Sequence, residues 1–128
     1  MSVPQLGLYM PENKAFKIQI KQANPSNGVI NAVYESAFSP EGLLTSTGDI
    51  GSYAWVHSDS HGTSGFAPFC IQFRGFVRPS GRAYCIMDTW NGAYLENNTM
   101  LLTGTRAYVN SAGVTESISL GTHVFSQA

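Results

Sequence analysis

The sequence predicts a single all-β domain over residues 1–128, eight strands arranged as a barrel or sandwich. Three observations carry this expectation. Apolar residues hardly recur at helical spacing anywhere in the chain. Runs rich in β-branched and aromatic residues return between turn signals, the pattern of a barrel or sandwich. The charged fraction is 12%, against roughly 25% in ordinary soluble domains, and thirteen glycines with many Ser, Thr and Asn fill the difference. A chain of this length buries roughly two thirds of its unfolded surface around one core, so a second domain is not expected.

The first strand is short, from Leu6 to Met10. The second runs from Ala15 to Gln22, where Phe16, Ile18 and Ile20 alternate with Lys17, Gln19 and Lys21, leaving one face wet. Asn24-Pro25-Ser26-Asn27-Gly28 supplies the turn that returns Val29 to Ser36 as the third strand. Ala37 to Asp49 carries little apolar content, and its length predicts a lid or binding loop. The fourth strand covers Gly51 to His57, and Ser58 to Gly65 forms another turn-rich loop. Phe66 to Val77 and Arg82 to Gly92 make a hairpin about Arg78-Pro79-Ser80-Gly81. Thr99 to Val109 and Val114 to Phe125 make the last one, about Asn110-Ser111-Ala112-Gly113.

Residues equidistant from a turn centre stand opposite each other and share a face. About Arg78 to Gly81 this sets Phe69 against Trp90, Ile71 against Asp88 and Phe73 against Ile86, with the aromatic side inward. The same register separates Cys70 from Cys85 along the strands, so both thiols are expected to be free. About Asn110 to Gly113, Met100 faces His123, Leu102 faces Gly121 and Gly104 faces Ser119. The other face then carries Leu101, Ile118, Leu120 and Val124 as a continuous apolar strip, which predicts a homo-oligomer interface. About Ser26, Phe16 faces Ser36 and Ile18 faces Tyr34, so Tyr34 and Ser36 point inward. Aromatic walls with a few polar groups describe a small-molecule site, and barrels of this size leave room for one small ligand.

A formal net charge of −1, with seven basic and eight acidic residues spread along the chain, offers no polybasic stripe for nucleic acid or an anionic membrane. No apolar run approaches the roughly 20 residues of a transmembrane helix. The opening Met1-Ser-Val-Pro lacks the basic start and apolar stretch of a signal peptide, which leaves the compartment open between a cytoplasmic protein and a secreted one whose leader is gone. His57, His61 and His123 lack metal-ligand spacing, and neither a nucleophile elbow nor a phosphate loop is present.

Asp88-Thr89-Trp90-Asn91-Gly92-Ala93-Tyr94 resembles the Thr-Thr-Trp-Ser-Gly-Gln-Tyr segment of the avidin and streptavidin family. Val33-Tyr34-Glu35-Ser36-Ala37 is similar to that family's Thr-Tyr-Glu-Ser-Ala, and Asn98-Thr99-Met100-Leu101-Leu102-Thr103 to its Asn-Thr-Gln-Trp-Leu-Leu-Thr with one residue dropped. The ending Leu120-Gly121-Thr122-His123-Val124-Phe125 follows Val-Gly-His-Asp-Thr-Phe, and Gly51 and Tyr53 stand like the Gly and Tyr of the fourth strand. The order and spacing of these segments extend the resemblance over residues 6–125. It implies an avidin-like, eight-stranded antiparallel up-and-down β-barrel, a tetramer or dimer that binds biotin in the barrel mouth with neither cofactor nor catalysis. In the family, Asn, Ser, Tyr and Asp hold the ureido group, Ser and Thr hold the thioether and tail, and several Trp or Phe hold the rings.

Carried over by position, Tyr34, Ser36, Phe73 and Trp90 keep that pattern. Met10 stands where the Asn is expected, Lys14 for the first Ser and His123 for the Asp. Ile86 and Asp88 replace the later Ser and Thr, Met100 replaces a Trp, and no aromatic near Thr115 replaces the Trp that reaches into a neighbouring subunit. Each polar ligand atom left unpaired costs about 1–3 kcal/mol, so biotin affinity is expected to be weakened.

The expected function is therefore non-catalytic binding of a small molecule, biotin or a related ligand. Asp88 is either a rim carboxylate in water or is paired inside with Lys14 or His123, and the paired form favours a ligand bearing its own charge. Another alternative is a barrel filled by its own side chains, with Met100 and Ile86 as packing, that binds protein or glycan through its outer surface or loops. The last is an enzyme using Asp88 and His123 as acid and base, with Tyr34 donating to a developing oxyanion.

Overall fold

The computed structural model describes residues 3–37, 43–57, 66–77, 85–95, 97–110 and 112–128. Eight strands, β1 (Gly7–Met10), β2 (Phe16–Ala23), β3 (Val29–Ser36), β4 (Leu44–His57), β5 (Phe66–Val77), β6 (Ile86–Leu95), β7 (Thr99–Val109) and β8 (Thr115–Gln127), close into an antiparallel barrel in chain order. The predicted all-β, up-and-down architecture is the observed one. No helix among the described residues is long and apolar enough to cross a membrane.

Alternation along the strands builds the core. Phe16, Ile18 and Ile20 on β2, and Ile30, Ala32, Tyr34 and Ser36 on β3, are all buried, while Lys17, Gln19 and Lys21 face water. The predicted pairs Phe16–Ser36 and Ile18–Tyr34 are observed. Their turn is held as its composition suggests. Asn24 Oδ1 accepts the Ser26 N–H at 2.7 Å, and Gly28 takes a φ of 76° that a side chain at that position would oppose.

Glycines on the inner wall make room for the largest rings. Gly104 pairs with Trp90 across β6 and β7, and a Cβ added there would lie 2.7 Å from the indole. Gly51 pairs with Phe73 in the same way, also at 2.7 Å. Gly75 underlies the ring of Tyr34 so closely that a Cβ would overlap it. Trp90 then meets Phe16 and Phe125 edge-on, with ring centroids 4.7 and 5.1 Å apart, contacts worth about 0.5–1.5 kcal/mol each.

Several sequence expectations need correction. The loop expected over Ala37 to Asp49 is strand from Leu44 onward, since Leu44, Ser46 and Gly48 face β3 opposite Ser36, Tyr34 and Ala32. Leu44 is buried, but Ser46 and Gly48 follow it at that spacing, so no apolar alternation marks the strand. The β5–β6 pairing is shifted by four residues, with Phe73 opposite Trp90, Gly75 opposite Asp88 and Val77 opposite Ile86. The connection thus covers residues 78–85, longer than the four-residue turn expected, and Arg78 to Gly81 lie outside the described residues, as does the Ser58 to Gly65 loop. A bulge between the Tyr53–Ile71 and Trp55–Pro68 pairs turns Phe69 out of the core, leaving it 47% exposed.

On β8, Met100 faces Phe125 and Leu102 faces His123, two residues from the expected register. A second bulge, between Gly104–Gly121 and Thr105–Ser119, splits the expected apolar strip. Leu101 and Val124 remain exposed on one side of the bulge and Ile118, opposite Arg106, on the other, whereas Leu120 packs against the core. Cys70 and Cys85 are free.

One end of the barrel is tied shut by the segment before β1. Gln5 N–H donates to the Tyr94 hydroxyl at 3.0 Å, and Tyr9 Oη donates to the Gln5 carbonyl at 2.7 Å. Asn98 donates to Gln5 Oε1 at 2.8 Å and accepts from Tyr94 Oη at 2.9 Å.

Candidate functional site

Toward the other end, β3, β6 and β7 point polar side chains at one another inside the barrel. Alternation on β7 brings Met100, Leu102, Gly104 and Arg106 inward, and the β6–β7 register sets Arg106 directly opposite Asp88. Arg106 Nε donates to Asp88 Oδ1 at 2.6 Å and Nη2 donates to Oδ2 at 2.9 Å, a bidentate fork. The same Nη2 lies 3.2 Å from Ser36 Oγ. From β3, Tyr34 Oη donates to Asp88 Oδ2 at 2.6 Å and accepts from Trp90 Nε1 at 3.0 Å. Gly75, opposite Asp88, is what lets the Tyr34 ring reach this position.

Tyr34, Ser36, Asp88 and Trp90 have no accessible surface, and Arg106 has 6%. Burial first, and then the Asp88 charge, push the Tyr34 hydroxyl far above its ordinary range, so it remains a neutral donor. Hydrogen bonding to Asp88 raises the Arg106 guanidinium further, outweighing its own desolvation. Asp88 thus has a guanidinium and a phenol against it, with no accessible surface of its own.

The remaining sequence candidates are dispersed around this network. Phe73 and Met100 are core residues packed below it, and Ile86 is buried two residues before Asp88 on β6. Met10 is half-buried at the end of β1, away from these contacts. Lys14 is exposed in the connection after β1, with φ 56°, and its expected pairing with Asp88 is not formed. His123 is not the partner of Asp88 either. Its Nε2 lies 2.9 Å from the Leu120 carbonyl, and its ring tilts against Phe16 and Trp90, each at 5.9 Å. The bulge at Leu120 supplies that carbonyl, and Asp88 is hydrogen-bonded to Arg106 and Tyr34 rather than to His123.

The residue that sequence reasoning missed is Arg106. Its signal was present in the parity of β7, which places it two steps beyond Gly104 on the inward face.

Among the grooves on the surface of the described residues, two border candidate or neighbouring residues. The larger, about 520 Å³, is bordered by Asp49, Ser52, Gln72, Arg74, Met87 and Thr89, and the other, about 430 Å³, lies between Pro11–Asn13 and Thr122–Val124. No family model matches the chain, and neither a curated protein nor a solved structure matches it.

Proposed function

We propose that this chain is a non-catalytic binding barrel that takes a small polar or charged molecule at the Arg106 end and binds biotin only weakly. The observation that carries the reading is the buried Trp90–Tyr34–Asp88–Arg106–Ser36 network. A barrel that needed only to be filled would be served as well by apolar side chains, since replacing a buried ion pair with well-packed apolar groups is often neutral or stabilising by about 1–4 kcal/mol. A charged cluster aimed at one end, with the other end tied by Gln5, Tyr9, Tyr94 and Asn98, is better accounted for by recognition.

The same network argues against tight biotin binding. Tyr34 and Ser36, the positions kept from the family's ureido set, already serve Asp88, Trp90 and Arg106. Taking one partner from a buried ion pair costs about 3–5 kcal/mol. A neutral ligand has little with which to offset that, whereas a charged one can join the cluster.

Isothermal titration with biotin, beside a thermal-shift panel of small carboxylates and amines, tests this. Weak or absent heat with biotin and a stabilising shift from a charged compound are expected. Saturation by nanomolar biotin would contradict the weakened affinity. A panel without any shift would favour the filled barrel that binds through its outer surface.

A further inference from the structure

β1 is four residues long and stops at Pro11, which has no N–H to continue a ladder. Among the described residues its pairing with β8 is confined to Tyr9–Gln127 and Met10–Ser126. β8 is thirteen residues long, so from Thr115 to Phe125 its edge away from β7 faces no strand among the described residues. At the bulge this edge is served locally. His123 lies against the Leu120 carbonyl, and Gly121 N–H donates to Ser119 Oγ at 3.0 Å. Among the described residues, what remains open is Thr115 to Ser119, and every residue of that stretch is exposed.

Soluble proteins protect such an edge with lysine, proline, an inward charge or a covering segment. Thr115-Glu116-Ser117-Ile118-Ser119 contains neither lysine nor proline, and its one charge, Glu116, accepts from the Tyr108 hydroxyl. Val114 and Ile118 add apolar surface at 51% and 45% exposure. The edge is therefore built to be covered, and its own sequence says by what. A twofold axis at Ser117 would set Thr115 against the partner's Ser119, Ser117 against the partner's Ser117, and Glu116 against the partner's Ile118. Hydroxyl meets hydroxyl, carboxylates do not stand opposite each other, and the register ends before the bulge.

We infer that a second copy of this chain pairs with this edge, β8 to β8, joining two barrels through a continued antiparallel sheet. The contact is independent of the ligand reading. It also moves the homo-oligomer interface from the outer strip, which the bulge divides, to the strand edge.

Sedimentation of the wild type, of Ser117→Lys/Ser119→Lys and of Leu101→Glu provides the test, with hydrogen exchange of the wild type across a dilution series. The wild type should sediment as a dimer, Leu101→Glu should do the same, and the lysine pair should give a folded monomer. Amides of 115–119 should gain protection as concentration rises. A monomeric wild type, a dimer that survives both lysines, or 115–119 amides indifferent to concentration would overturn the inference. The exchange measurement decides the matter even if the lysine variant fails to fold.

Discussion

Asp88 and Arg106 form a contact whose members cannot be changed one at a time without cost. Arg106→Ala leaves the buried Asp88 side chain against Tyr34 without its guanidinium partner, and should cost about 3–5 kcal/mol in urea unfolding. The double change Asp88→Leu/Arg106→Met should cost far less than the single one, because both charges leave together. A double variant as unstable as Arg106→Ala would show that something other than charge pairing sets the cost. Tyr34→Phe removes both the donor to Asp88 and the acceptor for Trp90, and about 1–3 kcal/mol should go with them.

Alkaline pH probes the same hydroxyl. An unfolded tyrosine releases its proton near pH 10 or so, about the reference value, whereas burial holds the protons of Tyr34 and Tyr9 to higher pH in the fold. Above that reference the folded chain binds more protons than the unfolded one, so stability should fall as pH rises. Denaturation midpoints measured across the alkaline range should decline, and Tyr34→Phe should decline less steeply. At this scale Tyr34, Ser36, Asp88 and Trp90 were legible from alternation and turn spacing. Arg106 was not, because a charged residue on a half-buried strand reads as solvent-facing until its partner strand is in register.

Among the elements, strand identity was more legible than strand register. β3, β5 and β7 have the expected bounds, since their runs are rich in branched and aromatic residues. The first half of β4 was missed because the residues it sends inward are Leu, Ser and Gly, sized to neighbours that a single strand does not reveal. The register failed at the Leu120 bulge and where the connection is longer than its turn signal, as between β5 and β6, while the bulge in the β4–β5 pairing turned Phe69 outward against expectation. The glycine positions give the elements their own test. Gly75→Ala pushes the Tyr34 ring off β5 and should destabilise by about 1–3 kcal/mol, the usual cost of overpacking. The near-ultraviolet circular dichroism should change with it, while the far-ultraviolet spectrum keeps its β form. Wild-type stability in that variant would mean the ring has room to spare.

As a whole, the molecule is a barrel with unlike ends. One is held by hydrogen bonds among Gln5, Tyr9, Tyr94 and Asn98, and the other is approached by a buried ion pair with a phenol, an indole and a hydroxyl arranged around it. The seam between β1 and β8 is short, which leaves the strand edge on which a second barrel is inferred to pair. Architecture was the most legible property of all, because eight alternating runs with turn signals between them have few ways to bury their apolar faces. Ligand identity was the least legible, because it depends on which polar groups still have bonding capacity once the core has satisfied its own.

The most direct test of the central claim is native mass spectrometry of the wild type and of Asp88→Leu/Arg106→Met, both purified without added ligand and then offered the charged compound that stabilises the wild type. The account predicts a one-to-one complex with the wild type that the folded double variant does not form, and no comparable complex with biotin. Equal binding by both proteins, or a stable biotin complex with the wild type, would contradict it.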